Sequence, residues 1–200
     1  MIELRGHFTT QRRKIMIKYY KVRMINNDIG NCKLDMPLPK GYYFVNYRDN
    51  NDQLVWADIE MAAGEFSTVD KALEKFKREF GDHKEELQSR CYFLYSPDGE
   101  PVGTATGWFD NLFNRQEYGR LHYVAIKPEY QGKHLAKPLV AMALKRIQQS
   151  HDKAYLTSQT TSWKAINMYL DFGFRPLYFS EDCKEAWKLL EEKLKHPALV

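Results

Sequence analysis

The second half of the chain alternates between strand-like and helix-like segments, and this alternation restricts the possible folds more than any other feature. Strand-like residues at 119–126 and 154–159 enclose a helix-like stretch at about 134–149, and a second helix-like stretch covers 162–172. A strand, a helix and a second strand in this order form a crossover connection that makes the two strands parallel. The sequence therefore predicts an α/β or α+β fold with a mixed sheet.

The rest of the chain adds further elements. Apolar periodicity predicts helices at 52–63 and at about 68–80, and the turn Pro97-Asp98-Gly99-Glu100 predicts a hairpin. Further strands are predicted at 17–25, 42–47, 91–95, 101–110 and 174–179, and a last helix at 183–194. In the first helix, the spacing predicts one buried face made of Leu54, Val55, Ile59 and Ala62.

Composition excludes several classes of protein. Apolar residues make up 44% and charged residues 28% of the 200 residues, which is typical of one globular domain and not of a disordered or disulfide-rich chain. The longest uninterrupted apolar run covers only 139–144, so we expect no membrane partner, because a spanning helix needs about 20 residues. The three cysteines form no CxxC pair, and we expect reduced, buried thiols and no metal. The first residues carry charges where an export signal needs an apolar run, so we expect a cytoplasmic protein.

The charge distribution suggests three parts of the chain. The first 24 residues contain seven lysines and arginines against one glutamate, although the net charge of the whole chain is only +4. We interpret residues 1–40 as a solvated basic arm and linker, 41–180 as one domain, and 181–200 as a helix that packs on this domain or extends it. A nucleic-acid partner is not expected, because no recognition motif accompanies the basic residues. The apolar stripe around Trp187 could instead form the interface of a homodimer.

Residues 121–139 combine the end of a strand, a short loop and the start of a helix, and this geometry favours anion binding. Apolar residues spaced at i, i+3, i+4 and i+7 from Leu135 predict the helix. Pro138 then lies in its first turn, where a proline loses no hydrogen bond. The backbone N–H groups of residues 131–137 point out of the helix N-terminus, and together with two lysines of this segment they favour a phosphate or diphosphate.

Two motifs in this half of the chain resemble the GNAT superfamily of N-acetyltransferases. The loop IKPEYQGKHLA is similar to the acetyl-CoA loop of the family, which reads Q/R-x-x-G-x-G/A after a strand. The segment TSWKAINMYLDFGF at 161–174 resembles the helix N-x-x-A-x-x-x-Y-x-x-x-G-F of the family, with Ser162 in the position of the asparagine. The resemblance covers roughly residues 42–179. It implies a mixed, mostly antiparallel central sheet flanked by helices, with a parallel βαβ crossover at the acetyl-CoA site.

The resemblance also implies acetyl-CoA as a co-substrate, without a metal, and a set of residues that bind it. These are Val124, Ala125 and Ile126 of the strand, Gln131, Gly132, Lys133, His134, Leu135, Ala136 and Lys137 of the loop and helix start, and Ser162 and Tyr169 of the second helix. His134 departs from the family because it occupies the first glycine position of the loop. Its side chain either costs about 1–2 kcal/mol, if the residue must be left-handed, or donates a hydrogen bond to phosphate. The C-terminus is a second departure, because the family commonly ends in a hairpin, whereas here one strand is followed by a helix.

For the reaction, the resemblance implies roles for His122 and Tyr169. An amine with a pKa near 10.4 is neutral in only about 1 molecule in 2,500 at pH 7, so a base or a proton wire must assist. We expect His122 near the thioester, in the role of the base. Tyr169 would protonate the departing CoA thiolate. Strand alternation predicts one face with Arg120, His122, Val124 and Ile126 and an opposite face with Leu121, Tyr123 and Ala125. A structural histidine and a core tyrosine are the alternative interpretations.

The resulting hypothesis is an enzyme that moves an acetyl group from acetyl-CoA to the primary amine of a small molecule or to an exposed amino group. The amine attacks directly, through a tetrahedral intermediate. A non-catalytic CoA-binding or regulatory module of the same fold is the alternative, and a nucleic-acid-binding protein is a third hypothesis. Glu60, Glu65 and Asp110 could attract a cationic amine, although such carboxylates are usually only solvated. No pattern in the sequence identifies the amine acceptor.

Overall fold

The computed structural model of the protein describes residues 18–110 and 118–199, apart from the side chain of Asp110. Most of the predicted basic arm and the proposed role of the Asp110 carboxylate therefore lie outside the described residues. The strands are β1 (Lys21–Asn26), β2 (Tyr43–Asn46), β3 (Cys91–Tyr95), β4 (Pro101–Asp110), β5 (Tyr118–Ile126), β6 (Ala154–Gln159) and β7 (Arg175–Leu177). The helices are α1 (Asp52–Ala62), α2 (Val69–Phe80), α3 (Lys84–Arg90), α4 (Ala136–Gln148), α5 (Trp163–Asp171) and α6 (Glu181–Leu194). Within these ranges, no helix has the length and apolar character needed to cross a bilayer.

The seven strands of the described ranges form one sheet in the order β2-β3-β4-β5-β6-β1-β7. Strands β5 and β6 are parallel, and the other neighbouring strands pair antiparallel. Helix α4 joins β5 to β6 and forms the predicted crossover. The mixed, mostly antiparallel sheet flanked by helices confirms the predicted fold class.

Two hydrophobic cores cover the two faces of the sheet. In β3, Leu94 packs in the core that contains side chains of α4, α5 and α6, whereas the adjacent Phe93 packs in the core of α1 and α2. Because successive residues of a strand face opposite sides, these two sets of helices lie on opposite faces. Helix α6 buries Trp187 completely in the first core, so the C-terminal helix packs on the sheet.

Strand β1 lies inside the sheet, although it comes from the segment that we interpreted as an arm and linker. It pairs with β6 on one side and with β7 on the other, and Met24 has backbone neighbours in both strands. Val22 and Met24 are fully buried. The beginning of the chain therefore supplies the strand beside β6, and α6 follows β7 at the other end of the chain.

A bulge in β5 changes the faces of its residues. Between His122 and Ala125, β5 contains one residue more than β4, and Tyr123 has a left-handed φ of 46°. The rings of His122 and Tyr123 therefore both lie on the α2 side, 6.0 and 5.8 Å from the ring of Phe80. Leu121, Val124 and Ile126 pack instead in the core of α4. The predicted strict alternation, which placed His122 with Val124 and Tyr123 with Leu121, is wrong because the extra residue reverses the order of the faces.

The parallel pair of β5 and β6 is short. Among the described residues, β5 and β6 pair only at Gly119 with Ala154 and at Arg120 with Tyr155. Beyond these two pairs, residues 121–124 of β5 and 156–159 of β6 line a common cavity instead of forming a ladder. This gap opens the sheet next to the loop that precedes α4.

Candidate active site

Two cavities meet in the gap between β5 and β6. The loop cavity has a volume of about 670 Å³ and is lined by residues of the 130–137 loop and of the 161–169 segment that contains α5. The sheet cavity has a volume of about 420 Å³ and is lined by 120–124 of β5, 156–159 of β6 and Glu60 of α1. The residues that line both cavities are Val124, Ser162, Ala165 and Tyr169. A molecule in one cavity could therefore react at this junction with a molecule in the other.

The loop cavity gathers most of the predicted cofactor-binding residues. Those that line it are Val124, Ile126, Gln131, Gly132, His134, Leu135, Ala136, Lys137, Ser162 and Tyr169. Two predicted residues do not line it. Ala125 is buried in the core of α1 and α2, and Lys133 lies over the ring of Tyr130, at 4.3 Å.

The loop before α4 presents backbone N–H groups at the start of the helix. Gly132 and His134 both have left-handed backbones, with φ values of 78° and 61°. The first backbone hydrogen bond of the helix joins the N–H of Leu139 to the carbonyl of Leu135, which leaves the N–H groups of the preceding turn without an acceptor in the described ranges. These groups and the positive end of the helix dipole suit an anion. The nearby charge of Lys137 is paired with Asp171 at 2.9 Å.

Tyr169 stands at the junction of the two cavities. Its side chain is 6% exposed, and its ring lies 6.2 Å from that of Phe174. Its hydroxyl makes no hydrogen bond with any described residue. Burial, followed by the negative charge of Glu60, raises the pKa of Tyr169 well above its usual range. The phenol is therefore protonated at neutral pH and can act as a proton donor.

His122 lines the sheet cavity but is a weak base. Its Nε2 lies 3.2 Å from Oε2 of Glu79, and a neutral ring must carry its proton on Nε2 to donate to this carboxylate. Burial lowers the pKa of His122 to about 4, although the bond to Glu79 acts in the opposite direction. Glu79 also pairs with Lys75 and, at 3.6 Å, with Arg120. The hydrogen bonds from His122 and Lys75 hold the pKa of Glu79 well below its usual range.

Glu60 is buried, so the expectation of a solvated carboxylate is wrong. Its side chain is 3% exposed and lines the sheet cavity. Its Oε1 atom has no hydrogen-bond partner in the described part of the chain. Burial, and to a smaller degree the charge of Glu65, raises the pKa of Glu60 to about 8. Glu60 thus differs from Glu65, which is exposed and lies at the edge of the same cavity.

The expectation for Glu60 is wrong because the buried face of α1 differs from the face that the apolar spacing predicts. The face expected from the apolar spacing contains Leu54, which is 48% exposed, and Ala62, which is also exposed. The observed buried residues are Asp52, Trp56, Ala57, Ile59 and Glu60. Trp56 lies one helical turn before Glu60 and is fully buried among aromatic rings. The i, i+4 spacing from this large aromatic residue was the signal that could have placed Glu60 inside.

The sequence model of the Acetyltransferase (GNAT) family matches residues 53–174 of the chain. The matched range includes the loop before α4 and helix α5, which line the loop cavity, and it leaves β1 and α6 outside. No curated protein matches the chain significantly.

Several solved structures share the fold. A protein from Pyrococcus horikoshii OT3 has a TM-score of 0.58 at 19% identity, over 70% of this chain and 92% of its own. A tandem GNAT protein from the clavulanic acid biosynthesis pathway has a TM-score of 0.56 at 13% identity, over 78% of this chain and 50% of its own. A GCN5-related N-acetyltransferase from Sphaerobacter thermophilus has a TM-score of 0.50 at 18% identity, over 80% of this chain and 50% of its own. This chain therefore spans about half of the length of the last two proteins, and at these identities the similarity shows the fold.

Proposed function

Since this chain belongs to the GNAT family of acetyltransferases, we propose that it transfers an acetyl group from acetyl-CoA to a primary amine of a small molecule or to an exposed amino group. The observation that carries the proposal is the meeting of two cavities at Val124 and Tyr169. Acetyl-CoA would occupy the loop cavity and the amine the sheet cavity. Such an arrangement brings the two reactants together in a fixed geometry, which removes much of the entropic barrier to reaction.

The loop cavity suits the parts of acetyl-CoA. The free N–H groups between Gly132 and Lys137 would hold the diphosphate, with Lys133 adding charge. The pantetheine would run along β5 from Val124 to Ile126, on the edge that faces β6 and does not pair with it. The backbone N–H groups of this stretch can polarise the thioester carbonyl and stabilise the oxyanion of the tetrahedral intermediate.

The reaction needs one proton donor and one proton acceptor. The amine nitrogen forms a bond with the acetyl carbon, the bond between carbon and sulfur breaks, and the CoA thiolate takes a proton from the Tyr169 hydroxyl. His122 lines the cavity that would hold the amine, and its role as the proton acceptor stays a prediction. Its low pKa is a disadvantage for that role.

A non-catalytic CoA-binding module is the second candidate function. The observation that favours it is the left-handed backbone of His134, at the position where the family has a glycine. A module of this kind would bind acetyl-CoA and release no thiol in the presence of any amine.

Calorimetric titration with acetyl-CoA, followed by a thiol-release assay with a broad panel of amines, tests the proposal. We expect saturable one-site binding and amine-dependent thiol release. Tyr169→Phe should lower kcat by roughly 100-fold to 10,000-fold, the usual contribution of a general acid. Tyr178→Phe is the matched control, because Tyr178 is 54% exposed and lines neither cavity. The absence of binding would contradict the whole proposal, binding without turnover would favour the module, and an unchanged rate in Tyr169→Phe would contradict the assignment of the acid.

A further inference from the structure

We propose that the carboxylate of Glu60 is the base that removes a proton from the ammonium group of the acceptor, an inference that rests on the proposed function. An N–H bond of the ammonium breaks, the proton moves to a carboxylate oxygen of Glu60, and the freed amine attacks the thioester. A second proton leaves the nitrogen after the attack and replaces the proton that Tyr169 gives to the thiolate. Glu60 releases its own proton to water after product release, so each transfer yields one proton.

The position of Glu60 supports this role. Its side chain is almost completely buried on the wall of the sheet cavity, and its Oε1 lacks a partner among the described residues. A buried carboxylate oxygen without a hydrogen bond is costly, and native proteins contain few of them. An ammonium group in the sheet cavity would donate a hydrogen bond to the Glu60 carboxyl group. The same cavity reaches Tyr169, which is the proposed proton donor.

The charged groups around Glu60 leave its proton affinity high. Glu65 follows α1 and adds negative charge. Lys75 on α2 and Arg120 on β5 are cations of the cavity wall, but both pair with Glu79. Within the described ranges, no cation forms an ion pair with Glu60. A cationic acceptor at Glu60 would therefore displace no existing ion pair of this carboxyl group.

The other titratable neighbours of Glu60 do not supply a positive charge close to it. His122 on β5 is neutral at pH 7 because burial lowers its pKa to about 4. The pKa values of Tyr123, Tyr169 and Cys91 are all raised by burial and, to a smaller degree, by charges that include that of Glu60. Lys21 of β1 and Tyr19 line the sheet cavity from its β6 side, beside Gln159.

The basicity of the two candidates favours Glu60 over His122. An imidazole with a pKa of about 4 takes a proton from an ammonium with a pKa of ~10.4 at an equilibrium penalty of roughly a million-fold. A carboxyl with a pKa of about 8 takes the same proton at a penalty of only a few hundred-fold. A base with a pKa near the operating pH is also the most effective in general-base catalysis.

Unfolding at several pH values tests the protonation of Glu60 without any acceptor. The pKa of Glu60 rises on folding from its ordinary value of 4.5 to about 8, so between these values the folded chain binds more protons than the unfolded chain. The free energy of unfolding therefore decreases as the pH rises through this window. Glu60→Gln removes this decrease. In urea unfolding, we therefore expect the free energy of unfolding of Glu60→Gln, minus that of the wild type, to increase from pH 5 to pH 9. A difference that is the same at all pH values would overturn the proposal. Glu74→Gln, at an exposed position of α2, is the control and should show no such growth.

Two acceptors of similar shape and different basicity test the role in the reaction. The probes are 2-phenylethylamine and its β,β-difluoro analogue, which is much less basic and needs little help to become neutral. We expect Glu60→Gln to lower kcat/KM at pH 7 by roughly 100-fold to 10,000-fold for the first amine and by less than about 10-fold for the second. Glu60→Asp should keep part of the activity, and Glu74→Gln all of it. A defect of purely structural origin would affect both amines equally.

The outcomes separate this inference from the proposed function. Equal losses for the two amines in Glu60→Gln, or unchanged rates, overturn the role of Glu60 and leave the acetyltransferase standing. If His122→Gln shows the loss that depends on amine basicity and Glu60→Gln shows none, the base is the histidine. This result also overturns the role of Glu60. A wild-type protein that binds acetyl-CoA but acetylates neither these probes nor any amine of the panel overturns the proposed function, and the role of Glu60 with it.

Discussion

Single residues of the loop before α4 are held in an unfavourable conformation. A left-handed backbone costs a residue other than glycine about 1–2 kcal/mol, and His134 has this backbone with φ at 61°. Gln131 fixes the start of the loop, because its side chain donates a hydrogen bond to the carbonyl of Ile126 at 3.1 Å. Local strain that the rest of the fold maintains is typical of functional sites. The strained loop is thus consistent with the proposed diphosphate site.

Gly132→Ala tests the conformational part of this cost. A Cβ atom at Gly132 would meet no atom within 4 Å, but φ is 78°, so the expected loss of about 1–2 kcal/mol in the free energy of unfolding comes from the backbone alone. Urea unfolding measures it. His134→Gly is the matched comparison and should lose no stability, because strain relief offsets the greater freedom of glycine in the unfolded chain. An unchanged free energy of unfolding in Gly132→Ala would mean that the loop changes its conformation at little cost.

At the scale of secondary-structure elements, α4 lies unusually close to the strands beneath it. A Cβ atom at Gly107 of β4 would lie 2.5 Å from the carbonyl oxygen of Ala143, and one at Gly119 of β5 would lie 2.0 Å from Cγ2 of Ile147. The two glycines therefore allow the backbone of α4 to approach the sheet. Since the loop of the proposed diphosphate site leads directly into α4, this contact also positions the loop cavity.

Gly107→Ala should displace α4. The contact is with helix backbone, which cannot rotate away as a side chain can, so we expect a loss of about 1–3 kcal/mol in the free energy of unfolding. We also expect weaker acetyl-CoA binding in calorimetry, because the helix start moves with the helix. Gly30→Ala is the control, since its Cβ would meet only Oδ1 of Asp28 at an ordinary 3.5 Å. Equal stability and affinity in the two variants would show that α4 tolerates the shift.

At the scale of the whole molecule, β1 ties the beginning of the chain to its last third. It pairs with β6 and β7 and carries Met24, which is fully buried. The N–H of Tyr20 also bonds Oγ1 of Thr160 at 2.9 Å. The sheet is therefore continuous across the described ranges only because this strand fills the place between β6 and β7.

Met24→Ala measures how much the burial of β1 contributes to the free energy of unfolding. Truncation of a fully buried methionine typically costs about 2–5 kcal/mol, through lost burial and the cavity left behind. We expect a loss of this size in the free energy of unfolding. Leu54→Ala, at the 48% exposed position of α1, should change it by less than about 0.5 kcal/mol. Similar losses in the two variants would contradict the burial of Met24 and the exposure of Leu54.

The order of strands and helices could largely be predicted from the sequence, because apolar periodicity and turn residues act locally. Helix α3 was missed because it is short and polar, with Leu87 as its one buried apolar residue. The place of β1 depends on pairing with residues far along the chain, which no local pattern encodes. The candidate binding residues could be predicted because they come from two contiguous sequence motifs.

The faces of side chains were harder to predict than the elements. One extra residue in β5 moves Tyr123 to the side of His122, and a bulge has no reliable sequence signature when the left-handed residue is not glycine. The burial of Glu60 likewise depends on which face of α1 the sheet covers. These tertiary effects determine the environment of the candidate proton acceptors, so their protonation could not be inferred from spacing.

The position of β1 also has a consequence for the order of folding. Tyr20 and Thr160, which hydrogen-bond beside this strand, are 140 positions apart. A nascent chain would therefore expose the first strand of the sheet until most of the remaining sequence had left the ribosome. Closing such a long loop is entropically costly, and contacts of this kind slow folding. We expect the wall of the sheet cavity that includes Lys21 to be completed late, after the α4 crossover has formed.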